Sequence, residues 1–444
     1  MTPAAPISAV GVVADGDSEI ARTTLRLVSI RLLPFLFVLY IFNYLDRSNV
    51  ALAALQMNRD LGFSAAAYGF GAGIFFLGYV LFEVPSNLML ARVGARWWIA
   101  RIMLTWGLIA SSMMFTRTPA QFYVLRFLLG AAEAGFFPGV IYYLSQWYPA
   151  KQRGRAISRF MIAIPLSSVL GGPLGGWLLG LDGRLGVRGW QWLFLVEGIP
   201  SILLSAAVLA FLTDRIDDAR WLNAEQRAWL AASIARDRDG SAAAHDMPLL
   251  QGLLHPLIWL IGLIFFLLNT AGYSYTFWAP SVIRDALHTS DGATGLVIGA
   301  IACTTALAML AVGVSSDRTG DRCLHTAACG IAGAVGFIGV AFVQIPAVQV
   351  GGLAVVAAGF LAFYPVLFCL PPMLLEGSAA AAGIALVNAI SNIGGFVGPW
   401  FVGALKDATG GVAGSFVVLA ALGVIAAVLC LVLRRQGVFA ESAC

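Results

Sequence analysis

The sequence predicts an all-α integral membrane protein with twelve transmembrane helices in two pseudo-symmetric six-helix halves. Three observations predict it. The 444 residues are 59% hydrophobic and 11% charged, where soluble domains carry about 25% charge. Apolar runs of about 20 residues, the length that crosses a hydrocarbon core, recur along the whole chain. A basic, glycine-bent turn follows the second run and returns after the eighth.

The elements follow in order. Residues 1–28 contain Asp15, Asp17, Glu19 and Arg22 and lack a basic start, so they read as a disordered cytoplasmic tail and not as a cleaved signal peptide. The first half, 29–213, carries spans near 31–53, 66–91, 97–116, 120–147, 157–181 and 190–213. The longest polar stretch, 214–255, is the linker between halves. Within it, Asn223-x-x-Gln226 reads as a capping box that opens a surface helix from Ala224 to about Ala235. The second half, 256–435, carries spans near 256–284, 293–314, 325–344, 348–373, 378–404 and 413–434. Residues 436–444 form a second cytoplasmic tail.

Orientation follows from the basic residues. With the N-terminus inside, 19 of the 27 Lys and Arg fall in cytoplasmic segments and six in external ones, leaving Arg47 and Arg126 within the membrane. Both termini are then cytoplasmic and the chain belongs in an inner (plasma) membrane. The net charge of +4 follows this topology and is not a nucleic-acid signal. The six cysteines form no C-x-x-C pair, and the four histidines have no metal-ligand spacing. No nucleophile elbow, nucleotide loop or metal cluster points to an enzyme or a cofactor.

The two basic turns are copies. Gly313-x-x-x-Asp317-Arg318-x-Gly320-x-Arg322 corresponds to Asn87-x-x-x-Ala91-Arg92-x-Gly94-x-Arg96. Paired halves of this kind hold their substrate between them near the midplane. Here the chain resembles the major facilitator superfamily. Gly313–Arg322 matches its signature loop in full, whereas the first copy lacks the leading glycine and the aspartate. Arg126-x-x-x-Gly130 resembles its fourth-helix motif. More narrowly, the chain resembles the anion:cation symporter family, which includes bacterial phthalate, tartrate, hexuronate and galactonate permeases and vesicular glutamate transporters. Carrying that match are Asn43-Tyr-Leu-Asp-Arg-Ser-Asn49, Glu83-Val-Pro-Ser-Asn87, Glu133-Ala-Gly-Phe-Phe-Pro-Gly139, Lys151-Gln-Arg-Gly-Arg155, Ala379–Ala385 and Gly394–Pro399. It extends from residue 30 to 435.

Ionisable side chains inside a membrane cost roughly 2.5–3.5 kcal/mol each on insertion scales and mark function. Asp46, Arg47, Arg126 and Glu133 are such groups. Arg126 and Glu133 are seven residues apart and share one helix face at different depths. Asp46 and Arg47 point about 100° apart. Arg47 is therefore expected to face the cavity, and Asp46 a neighbouring helix, from which it can pair with Arg126. The resemblance implies that Arg47 clamps a substrate carboxylate through its planar donors and that Glu133 carries the coupling proton. The alternative is a purely structural ion-pair network between spans one and four.

The resemblance also implies that Tyr44 and Tyr79 donate hydroxyls to substrate and that Asn388 is a ligand. Asn392, on the same face, reads as a packing residue. Tyr275 and Trp278 either line the site for an aromatic or sugar acid or gate it. Asp317, Arg318, Arg322, Arg92 and Arg96 read as a cytoplasmic conformational latch. Glu83 and Glu197 read as structural. Gly171-Gly-Pro-Leu-Gly-Gly176 permits close helix packing and is no phosphate loop. Glu376 departs from the small polar residue common in related chains, and no physical reason accounts for it.

The expected function is secondary active import of an organic acid anion, aromatic or sugar-derived, by proton symport through alternating access. The expected form is a monomer in the lipid bilayer. The competing readings are a proton-coupled exporter of drugs or metabolites and a membrane sensor of an organic acid.

Overall fold

The structure is a computed structural model that describes residues 19–243, 249–375 and 377–436. Helix predominates and no strand occurs among the described residues. Among the described residues, twelve helical segments are long and apolar enough to cross a membrane, six before the linker and six after it. Glu376 lies outside the described residues.

Three boundaries differ from the sequence reading. The first helix is Glu19–Leu61, so it begins inside the segment assigned to the N-terminal tail. Ala21, Thr24, Val28 and Leu32 recur every three or four residues and are all buried, which gives the extension an inward stripe. The linker helix runs Ala224–Ala243, beyond the expected end. Its capping box forms as read: Asn223 N donates to Gln226 Oε1 at 3.0 Å, and Gln226 N donates to Asn223 Oδ1 at 2.8 Å. The fourth span, read as one helix, is two: Pro119–Glu133 and Phe136–Ser145.

Across the halves, the second span (Ala65–Val93) packs on the eleventh (Ala382–Thr409), and the fifth (Ala150–Leu179) on the eighth (Asp291–Thr319). Both contacts are made backbone to backbone through glycine. A Cβ on Gly69 would lie 2.3 Å from the Pro399 carbonyl oxygen, and one on Gly172 would lie 2.4 Å from that of Gly295. Without a hydrophobic drive between helices in lipid, such close approach is what holds them.

All of these glycines lie toward the end remote from the termini. Polar bonds join the halves at that same end. Asp407 accepts from Ala65 N at 3.0 Å and Ala66 N at 2.8 Å, capping the second span. Gln56 donates to Asp291 at 2.8 Å, Arg284 to the Leu55 carbonyl at 2.6 Å, and Tyr68 to the Phe277 carbonyl at 2.9 Å. Toward the terminus-bearing end, the only side-chain hydrogen bond between halves among the described residues joins Asn388 to Glu83. The halves are sealed at one end, and few polar bonds join them toward the other.

The seal yields a prediction. A Cβ on Gly295 would stand 2.2 Å from the Gly172 carbonyl oxygen, and overpacking of this kind costs about 1–3 kcal/mol. Gly295→Ala is expected to weaken the sealed end and slow transport roughly tenfold or more. A Ser281→Cys reporter beside the seal should then react faster with an impermeant thiol reagent. Unchanged labelling together with unchanged transport would show that the close approach is dispensable.

Candidate functional site

Arg47 projects from the first span into the space between the halves. Its Nε donates to Glu133 Oε1 at 3.0 Å, and Nη2 donates to the same oxygen. The guanidinium carbon lies 5.0 Å from the ring centre of Tyr79 and 5.4 Å from that of Phe75, within cation–π range. From the other half, Tyr273 interacts electrostatically with Arg47 and neighbours Tyr364. Tyr364 in turn donates to Asn269. The Arg47 side chain keeps 17% of its surface accessible, while Glu133 has none. Tyr44, one turn before Arg47, is half-buried and interacts electrostatically with Arg47 and Tyr273.

The break in the fourth span creates this geometry. Glu133 is the last residue of the first half-helix. Ala134 leaves the helix at φ −54°, ψ 133°, and Gly135 takes φ +84°. A side chain at Gly135 would also strike Ser86 Oγ, 2.4 Å from an added Cβ, so only glycine fits. The new helix begins at Phe136, which puts Pro138 in its first turn, where a missing N–H costs nothing. Gly135 followed by Pro138 was a legible signal of the break. Non-helical backbone at membrane depth is tolerated only where protein buries it or water lines it. Here it frames the site.

The pairing of Asp46 with Arg126 does not form. Asp46 accepts from Trp106 Nε1 at 2.5 Å and from Asn49 Nδ2 at 3.0 Å. The fully buried indole on the third span (Ala95–Phe115) reaches the carboxylate from the side opposite the cavity. Arg126 turns to the second span, donating from Nε to the Gly71 carbonyl at 3.3 Å and from Nη2 to that of Ala72 at 3.1 Å. Its guanidinium carbon stands 4.8 Å from the Phe75 ring centre. Phe75 therefore meets both arginines, a role the sequence reading missed. Seven residues on one face set Arg126 about 10 Å from Glu133 along the axis, so a shared azimuth does not bring them together.

In the second half the structure separates the candidates. Asn388 joins the site through Glu83: its Nδ2 donates to Glu83 Oε1 at 3.1 Å and Oε2 at 3.4 Å. Asn392 is buried. Tyr275 is buried and lies about 200° around the seventh span from Tyr273, away from Arg47. Trp278 sits at the sealed end, donating to the Pro399 carbonyl at 3.2 Å and meeting the Tyr68 ring edge-on at 5.3 Å. It lines a cavity of about 410 Å³ there with Arg59, Arg284 and Lys406. Tyr273 takes the place expected of Tyr275. Asn269 and Tyr273, polar at i and i+4 inside an apolar span, were the available signal.

Among the described residues, none of the five latch candidates hydrogen-bonds to the opposite half. Arg322 donates to Asp317 at 2.6 Å and to Ser316 at 3.1 Å. Arg96 donates its backbone N–H to Asp214 at 2.8 Å and its Nε to the Leu209 carbonyl at 2.6 Å. Arg92 and Arg318 are exposed. Both turns bend at glycine, with φ +98° at Gly94 and +71° at Gly320. Glu197 is buried and interacts electrostatically with Asp46. Among the described residues, no group of three His, Cys, Asp or Glu could hold a metal.

Known proteins resemble this chain along most of its length. The family model described as Major Facilitator Superfamily matches residues 36–371 and 280–441. A protein of Agrobacterium vitis, provisionally named a tartrate transporter, is 43% identical over 426 residues, covering 94% of this chain and 93% of the relative. The quinolone resistance transporter of Acinetobacter baumannii is 40% identical over 396 residues, covering 89% and 91%. The fold is similar to the crystal structure of a bacterial homologue of the human lysosomal transporter Spinster, with a TM-score of 0.75 at 17% identity. That alignment covers 94% of this chain and 98% of the other.

Proposed function

Because the chain belongs to the major facilitator superfamily, and so is a multi-pass membrane transporter and not an enzyme, we propose that it imports an organic acid anion together with a proton. The observation that carries this reading is the Arg47–Glu133 pair: a partly accessible guanidinium held by a fully buried acid and ringed by tyrosines of both halves.

The chemistry follows from that pair. An incoming carboxylate competes with Glu133 for the same planar donors. If it wins, Glu133 is left buried without a cation, at a cost of roughly 3–5 kcal/mol for a broken buried pair. A proton on Glu133 removes that cost and frees Arg47. Anion and proton therefore favour each other's binding, reciprocally. Tyr79 and Tyr44 from one half and Tyr273 and Asn388 from the other would bond the same anion, so its binding would draw the halves together. Under the cytoplasmic assignment of the termini, the sealed end faces outward. The basic turns carrying Arg92, Arg96, Asp317, Arg318 and Arg322 would then meet only when the inner end shuts.

The quinolone-named relative favours a second reading, export, and quinolones are themselves ring acids that suit Arg47. Uptake by proteoliposomes of uniform orientation separates the two. With acid on the outer face, at least one acid from a panel of labelled aromatic and sugar acids is expected to accumulate, and a protonophore should abolish it. Protons that drive only outward movement would replace import by export, and a pH step without effect on any acid would end the symport reading.

A further inference from the structure

Glu83 reads as a structural acid in the sequence, yet it stands in the pathway. It is half-buried, and both of its carboxylate oxygens accept from Asn388 across the gap between halves. It lies one turn beyond Tyr79 on the second span, on the same face and about 6 Å further toward the terminus-bearing end. Tyr79 lies under the Arg47 guanidinium. An acid whose two ends lie about 6 Å apart, held at Arg47, therefore brings its far end to Glu83 and Asn388.

Glu83 already fills the donor that this far end would use. It acts as a tethered carboxylate on the Asn388 amide. The charged and titratable groups that interact with it are Arg47, from the first span, and Tyr79 on its own span. Arg47 is committed to Glu133 or to the bound anion. From the eleventh span it meets only the neutral Asn388 among the described residues. A neutral far end, such as a hydroxyl or an aromatic edge, can lie beside Glu83 or displace it. A second carboxylate cannot, because two like charges on one amide repel and do not both stay ionised.

We propose that Glu83 is a specificity-determining residue, admitting a second carboxylate at the Asn388 end of the site only with an accompanying proton. That proton rides on Glu83 or on the substrate carboxyl, and the net charge at Asn388 is the same either way. The site then takes organic monoanions, or diacids in their hydrogen form. The inference rests on the reading of Arg47 as the carboxylate clamp.

Two acid pairs test it: gluconate against glucarate, and benzoate against terephthalate. Each pair differs by one terminal carboxylate. Binding is measured by thermal shift and calorimetry on the purified full chain at pH 8 and pH 6. Glu83→Gln keeps an acceptor for Asn388 and removes the charge. At pH 8 it should tighten the dicarboxylate relative to its monocarboxylate at least tenfold. Wild type should show the same relative gain between pH 8 and pH 6, and the variant should lose that pH dependence. Glu83→Ser is the second variant should the first be unstable, with the same expected shift. An unchanged ratio in both pairs, or equal weakening of both members, overturns the proposal and leaves Glu83 a strut between halves. If wild type binds a monocarboxylate and the variants gain no dicarboxylate, this inference alone falls. If no protein binds any of the four acids, the clamp reading falls with it.

Discussion

Arg47→Ala is expected to abolish binding of the transported anion, with a loss of at least about 100-fold in affinity. Each hydrogen bond to a charged group contributes about 1.5–3 kcal/mol, and Arg47 offers two planar donors, which now serve Glu133. Every 1.4 kcal/mol is tenfold, so losing both bonds accounts for that factor. Arg47→Lys keeps the charge but loses the fork, and should fall between wild type and alanine.

The structural alternative, an ion pair that merely ties the first span to the fourth, predicts something different. Removing Arg47 alone would strand Glu133 in a buried position and lower stability. Removing both partners as Arg47→Ala with Glu133→Gln should restore most of that stability. If anion affinity returned with it, the pair would be a strut. If stability returns and affinity does not, Arg47 binds the anion. Thermal unfolding and calorimetry on the same three variants decide between them.

Glu133→Gln should uncouple the proton while sparing the anion. The amide imitates the protonated acid, so Arg47 is free at every pH. In wild type the anion has to displace the Glu133 carboxylate from Arg47 unless a proton arrives with it. The variant should therefore bind the anion at least as tightly as wild type. Counterflow exchange needs only the loaded carrier and should persist. Accumulation driven by a pH step should vanish. One pH unit supplies about 1.4 kcal/mol, or up to tenfold accumulation with one proton per anion, and the variant should hold the ratio near one. Full pH-driven uptake by Glu133→Gln would remove this residue from the proton pathway.

The residues that carry these predictions were legible to different degrees. Arg47 and Glu133 stood out because a charge in an apolar run is anomalous wherever it points. Their mutual contact did not, because it required the helix break at Ala134–Gly135, which sets where the fourth span's last carboxyl ends. Asp46 was anticipated as facing a neighbouring helix, and the third span supplied its partner in place of the fourth. Trp106 carries no mark in the sequence that separates it from other buried aromatics. The capping box at Asn223 and Gln226 was read correctly because both of its bonds lie within four residues.

The second half was harder. Tyr273 and Tyr275 are two residues apart and equally aromatic, and only the azimuth of the seventh span puts the first at Arg47 and the second away from it. Glu83 and Asn388 are more than 300 residues apart, and nothing in the sequence around either one points to the other.

The number of spans, their division into halves and the presence of an intramembrane cation and acid were all readable from the chain alone. Each is a property of a short window, since apolar length and the cost of a buried charge are incurred residue by residue. Which side chains meet was settled by packing. Contacts such as Arg47 with Glu133, Asp46 with Trp106 and Glu83 with Asn388 depend on how far each helix turns and where it breaks. Those angles are fixed by glycine-mediated contact between helices remote in sequence, and no window of residues contains them.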